Sequence, residues 1–288
     1  MNYIYHLIVI LGIYSLLAYS LNLTLGYGGL LSLCHAAFYG IGAYIYALCL
    51  SSLDLPGLAC LFLSIFGTGT IALLIGSAAL RFRGNIFIFV TLGFQMIVFV
   101  VLYNWVGLTN GPYGISGISR PSLFGFQFHT PLDFALLVIV ANVLVLSLLF
   151  AIYRSPFGLV LKAIREDEVA AETVGIRTSR VLLQAFVLSG AIAAIPGAIY
   201  ATYTTYIDPT SFTFSESITI AVMLLLGGAG NKTGPVLGVL LVLLLPEALR
   251  FLGMPDTYAH NSREIIYGLV LVGLMYARPR GLFGDFEI

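Results

Sequence analysis

Residues 155–180 read SPFGLVLKAIREDEVAAETVGIRTSR. With Arg154 just before it, this stretch holds Lys162, Arg165, Glu166, Asp167, Glu168, Glu172, Arg177 and Arg180, in a chain with only 13 basic and 13 acidic residues. Apolar runs flank it, Leu132 to Tyr153 before and Val181 to Thr202 after. A segment that must stay hydrated between two that must stay in hydrocarbon fixes the topology around it.

The composition agrees. About a quarter of the residues of a soluble domain are charged. Here the figure is 9%, with 59% hydrophobic residues and a mean hydropathy of +1.01. Several runs reach the ~20 apolar residues needed to cross ~30 Å of hydrocarbon. They are continuous rather than alternating, and many are too long for barrel strands, which argues against a β-barrel. The expected fold is an all-α polytopic transmembrane bundle in the lipid bilayer, one domain over residues 1–288 with a wet loop at 154–180. A net charge of +0 predicts no nucleic-acid partner. Cys34, Cys49 and Cys60 are odd in number and scattered through apolar runs, so neither a disulfide framework nor a metal site is expected. The first apolar run lacks a basic leader and a small-residue cleavage site and reads as a retained span.

About nine passages are expected, some broken or re-entrant. They are Ile4–Leu23, Leu30–Leu50, Leu58–Leu80, Ile86–Tyr103, Leu132–Tyr153, Val181–Thr202 with a break at Pro196-Gly197, a short Ile218–Leu226, Pro235–Leu252 and Ile265–Tyr276. Gly26-Tyr27-Gly28-Gly29 and Gly227-Gly228-Ala229-Gly230 read as breaks between them. Alternating the spans puts Arg81 and Arg83, the 154–180 stretch, Lys232, and Arg278 with Arg280 on one side, as the positive-inside rule requires. Arg120, Asp208 and Asp256 fall on the other, with the N-terminus.

Within the central stretch, Lys162 to Ile176 is expected as one amphipathic helix. Lys162–Glu166, Arg165–Glu168 and Glu168–Glu172 share a face at i,i+3 or i,i+4. Ala163, Ile164, Ala170, Ala171 and Val174 form the apolar side, and Gly175 is the stop. Such a helix suits docking into a groove of a cytoplasmic partner; an ordinary solvated loop helix has the same spacing. Gly230-Asn231-Lys232-Thr233 is not a phosphate loop, because Asn231 separates Gly from Lys and the flanks are membrane spans. Gly230, Gly234 and Gly238 instead recur every fourth residue, as a ridge for close helix approach. His35, Gln95 and Asn104 are polar groups inside apolar runs, open to a structural role or one on a translocation path. Glu247 and Arg250 are expected to pair with each other. Asp208 and Glu216 read as solvated loop charges. No nucleophile, acid–base pair or metal-ligand spacing stands out, so no enzyme activity and no cofactor are expected.

Ala163-Ile164-Arg165-Glu166-Asp167-Glu168, followed by Ala170-Ala171 and Gly175-Ile176, resembles the cytoplasmic loop of permeases of branched-chain amino acid ABC transporters. The resemblance runs through Leu21-Asn22-Leu23, His35-Ala36-Ala37-Phe38, Gly40-Ile41-Gly42-Ala43-Tyr44, Thr109-Asn110-Gly111, Ser211-Phe212-Thr213-Phe214, Gly227-Gly228-Ala229-Gly230 and Arg278-Pro279-Arg280-Gly281-Leu282. It covers nearly the whole chain in order and is nearest to the M-type subunit. Urea and short-amide permeases look similar in the same blocks. The resemblance implies a subunit of an ATP-driven importer in the cytoplasmic (inner) membrane of a prokaryote. Its partners would be a second related permease, two cytoplasmic ABC ATPases and an external solute-binding protein. Lys162, Arg165, Glu166, Asp167, Glu168, Ala171, Glu172 and Gly175 would couple it to the ATPases. Gly26, Gly28, His35, Gln95, Gly227 and Gly228 are the candidate path for a net-neutral substrate between broken helices. An ion-coupled secondary carrier is the rival; it predicts an internal repeat and paired membrane carboxylates, and neither is apparent.

Overall fold

A computed structural model describes residues 2–251, apart from 54, 83, 121, 124, 125 and 129, together with 268 and 273. α1 (Asn2–Asn22) runs into a π-helical turn (Leu23–Tyr27). α2 (His35–Ser52), α3 (Gly57–Ala79), α4 (Asn85–Asn104), a single turn α5 (Val106–Thr109) and a 3-10 turn (Gly111–Tyr113) follow. After the short strands β1 (Ile115–Ser116), β2 (Ser122–Leu123) and β3 (Phe126–Gln127) come α6 (Pro131–Arg154), α7 (Pro156–Glu166) and α8 (Glu168–Thr173). Then come α9 (Thr178–Thr204), β4 (Tyr206–Ile207), a 3-10 turn (Pro209–Phe212), α10 (Phe214–Gly227) and α11 (Gly234–Phe251). Five of these helices are long and apolar enough to cross a membrane, and α2, α10 and α11 are shorter apolar helices. The protein is an all-α polytopic membrane protein. The expected passage at 265–276, apart from Gly268 and Gly273, lies outside the described residues, as do Arg83, Asp256, Arg278, Arg280 and the side chains of Glu247 and Arg250.

α9 is the axis of the bundle, packed against α1, α2 and α3. Its most apolar window is 67% buried, against 22–28% for α3, α4 and α6, which face outward. Lipid is as apolar as leucine, so membrane helices associate through close backbone approach rather than hydrophobic drive. Small residues make that approach here. A methyl on Gly42 would lie 2.5 Å from Ala194 Cα, and one on Gly190 2.8 Å from Ala72 Cβ. Pro196-Gly197 does not interrupt α9. Gly197 packs so closely on the Tyr39 carbonyl and Ala43 amide of α2 that a side chain would overlap them. Surrounding helices hold α9 on its course through the proline, which membrane helices tolerate.

Arg81, Arg165, Arg180 and Lys232 gather at one end. Arg81 and Arg180 line one cavity, and Arg165 and Lys232 both engage the end of the α1 segment. At the opposite end β1 pairs antiparallel with β4, Ile115 opposite Ile207, and His6 Nδ1 lies 2.7 Å from Tyr203 Oη. Asp208, bonded to Thr210 and Ser211, is at that end. Among the described residues, Arg81, Arg165, Arg180 and Lys232 lie at one end and Asp208 at the other, as alternation expects.

α2 begins at His35, not Leu30. Residues 28–34 return without helix from the basic end, with Gly29 at φ +69°. Helix starts leave amides without intrahelical acceptors, and lipid offers none. Here side chains from other helices supply them. Ala36 N donates to Ser217 Oγ at 2.9 Å and Ala37 N to Gln95 Oε1 at 2.8 Å. Gln95 is near the middle of α4, so α2 starts at mid-depth and runs to the β1–β4 end.

The turn from α6 to α9 also has local causes. Thr130 and Asp133 form a reciprocal capping box that starts α6 with Pro131 at its first position. Ser155 caps α7, accepting from Gly158 N, and a methyl on Gly158 would sit 2.6 Å from two carbonyls of the last turn of α6. The expected single helix over 162–176 is two, divided at Asp167. Asp167 Oδ1 accepts from Ala170 N at 2.9 Å and caps α8. Aspartate competes with the backbone inside a helix and satisfies it at a start, which is why the break falls there. Gly175, at φ +87°, closes α8.

Candidate functional site

The two glycine breaks meet at the basic end. Gly26, in the π turn, lies so close to Gly230 N and Asn22 Oδ1 that a methyl would overlap both. One fully buried amide joins them. Gly230 N donates to Asn22 Oδ1 at 2.9 Å, and Asn22 Nδ2 donates to the Asn231 carbonyl at 3.0 Å. Gly230 has φ +81° and belongs to the turn after α10, so it is not part of the expected Gly230–Gly234–Gly238 helix ridge. Close approach falls instead to Gly227, Gly234 and Gly238, whose backbones bring α10 and α11 into direct contact.

Arg165 of α7 reaches into this junction. Its Nη1 donates to the Gly26 carbonyl at 2.5 Å, and its Nη2 donates to Glu166 Oε1 at 2.7 Å. Its side chain is only 6% exposed, whereas that of Glu166 is 63% exposed. Lys162 stands 5.3 Å above the Tyr27 ring, which stacks on Tyr153 at 3.8 Å. A cation over an aromatic face is attracted by the ring quadrupole. Lys162 and Arg165 are thus both directed at the π turn. Leu161 and Ile164 of the same helix are buried. The expected apolar side is only partly inward. Ile164 and Ala171 are buried, while Ala163 and Ala170 are exposed and Val174 is 76% exposed; Val169 beside them is 68% exposed. Glu172 accepts from Thr178 Oγ1 at 2.7 Å, tying α8 to the start of α9.

The sequence-predicted path residues fall into two groups. Gly26 stands at the junction with Arg165, while Gly28 abuts Leu182 of α9, and Gly227 and Gly228 (φ +110°) pack on Gly234 at the start of α11. His35 and Gln95 lie at mid-depth in a buried polar cluster. His35 Nε2 is 2.7 Å from Ser20 Oγ. Gln95 accepts from Ala37 N and Ser217 Oγ and donates to the Phe212 carbonyl at 2.9 Å. Both hold helix ends together. Asn104 is exposed and bonds back to the Val100 carbonyl. Glu216 is not a solvated loop charge: it opens α10 with Oε1 buried, because α10 starts inside the bundle. Asn22 is the bridge between the two breaks that residue spacing missed; its signal is a lone amide in an apolar run four residues before a glycine break. Among the described residues no three His, Cys, Asp or Glu side chains are grouped to hold a metal. The junction has no acid–base or nucleophilic pair. What it can do is pass a displacement of α7 to two helix breaks at once.

A family model described as "Branched-chain amino acid transport system / permease component" matches residues 3–276. The high-affinity branched-chain amino acid transport system permease protein LivM of Salmonella typhimurium is 34% identical over 293 aligned positions, covering 94% of this chain and 67% of that protein. LivM of Escherichia coli shows the same identity and coverage. The LivH permease protein of Escherichia coli is 26% identical, over 96% of this chain and 92% of that protein. No solved structure matches.

Proposed function

This chain belongs to the permease-component family of branched-chain amino acid transport systems, and from that premise we propose that it imports branched-chain or other neutral amino acids across the cytoplasmic membrane of a prokaryote. It does so as one half of a permease pair, driven by ATP hydrolysed on two separate ABC ATPases and supplied by an external solute-binding protein. Similarity to both LivM and LivH supports a related permease as the second half. The ATPases grip the α7–α8 elbow, whose exposed Val169, Val174, Glu166 and Asp167 offer an apolar patch edged with carboxylates, with half-buried Glu168 beside them.

The observation that carries the mechanism is the bond from Arg165 to the Gly26 carbonyl, beside Gly230. Rotation of the elbow pulls on the π turn and on the α10–α11 turn together. Broken helices bend at such points without losing further hydrogen bonds, and the two breaks then open the path toward the cytoplasm. A zwitterionic substrate is net neutral and needs only hydroxyls, amides and backbone groups along that path. The test is reconstitution in liposomes with the partner permease, both ATPases and the binding protein. Uptake of labelled leucine should require ATP on the ATPase side and binding protein on the other. Uptake by the permease pair alone would overturn the reading in favour of an ion-coupled carrier.

A further inference from the structure

α3 and α9 touch at Gly76, where a methyl would meet Leu183 and Phe186 at 2.8 Å. Beside that seam lie two cavities that share Leu183. One, of about 410 Å³, is at the basic end and is lined by Ser77, Leu80, Arg81, Ser179 and Arg180. Both arginines are exposed, and neither has a carboxylate partner among the described residues. The other, of about 530 Å³, is almost wholly apolar, with Leu73, Phe157, Val187 and Leu188 on its walls. From Arg180 to Leu188 the helix rises about 12 Å. Charge at the membrane surface therefore leads directly into an apolar groove at hydrocarbon depth.

We propose that this groove holds one anionic phospholipid, its phosphate between Arg81 and Arg180 and an acyl chain along Leu73, Val187 and Leu188. The hydroxyls of Ser77 and Ser179 add donors for the phosphate oxygens. A basic recess between helices at a bilayer surface selects an anionic headgroup, and the apolar cavity below it fits a chain rather than a free ion. Assignment to the cytoplasmic leaflet rests on the orientation in the function proposed above; the site itself does not.

The experiment uses the full chain with its partner permease, delipidated in neutral detergent and titrated with phosphatidylglycerol or phosphatidylcholine under native mass spectrometry. Phosphatidylglycerol should bind about 30-fold tighter, from roughly 1 kcal/mol for each basic residue at 1.4 kcal/mol per tenfold. The R81Q/R180Q double variant should lose that preference while keeping its thermal midpoint in neutral detergent. Leu188→Trp, which fills the apolar groove with both arginines intact, should weaken both lipids. Equal affinities in the unaltered protein, a preference that survives R81Q/R180Q, or displacement by millimolar inorganic phosphate would overturn the proposal. Binding in detergent needs neither orientation nor transport, so its outcome is separable from the uptake assay.

Discussion

Replacing Arg165 with alanine cuts the link between α7 and the glycine breaks. The bond lost is one from a charged donor to a buried carbonyl, worth about 1.5–3 kcal/mol. The pair with Glu166 adds little, because the carboxylate is 63% exposed and such pairs contribute at most about 1 kcal/mol. A loss near 2 kcal/mol lowers the docked population of α7 about 30-fold. Two readouts follow. Backbone amides behind the π turn, such as Gly29 N bonded to the Leu25 carbonyl and Leu30 N to Thr24, should exchange with deuterium roughly 30-fold faster. In proteoliposomes, leucine taken up per ATP hydrolysed should fall by about an order of magnitude while hydrolysis continues. Arg165→Lys keeps the charge but not the two-pronged guanidinium and should fall between. If exchange at these amides and the uptake-to-hydrolysis ratio both stay at the unaltered level in a normally inserted protein, the linkage argument is wrong.

Three other outcomes are expected. Gln95→Leu leaves the Phe212 carbonyl and the Ala37 amide without their side-chain partner, at a cost of roughly 2–6 kcal/mol from about 1–3 kcal/mol for each of the two groups; a thermal midpoint in detergent unchanged from the parent would contradict this. Gly42→Ala puts a methyl 2.5 Å from Ala194 Cα and should destabilise the α2–α9 contact by about 1–3 kcal/mol, read in the same melting assay. Glu166→Cys, at an exposed position on the elbow, should react with a membrane-impermeant maleimide in inside-out vesicles only; labelling in right-side-out vesicles would reverse the assigned orientation.

The long spans were legible because apolarity sustained over ~20 residues has one solution in lipid. α3, α4 and α6 end within a residue or two of their expected limits. The re-entrant stretch before His35 was not, because Leu30, Leu31 and Leu33 are as apolar as the helix that follows. Only partners distant in sequence, such as Ser217, determine where the helix starts. Pro196 misled for the opposite reason: a local breaker was overruled by the helices around it. The elbow's residues were found, but spacing along one helix sees only neighbours three or four positions away. Arg165 makes its decisive bond 139 positions away, and nothing in its local pattern announces that.

The cap on α2 also sets an order for biogenesis. Ala36 precedes Ser217 by 181 positions. At 5–20 residues per second of synthesis, the amide waits roughly 10–40 s for its acceptor. During that interval α2 cannot settle in hydrocarbon with its start exposed, so it must remain in the insertion channel or in contact with water. Lesions in residues 212–217 will therefore reduce the amount of protein in the membrane before any kinetic defect can be measured, and low abundance in such variants reports failed assembly rather than impaired carriage.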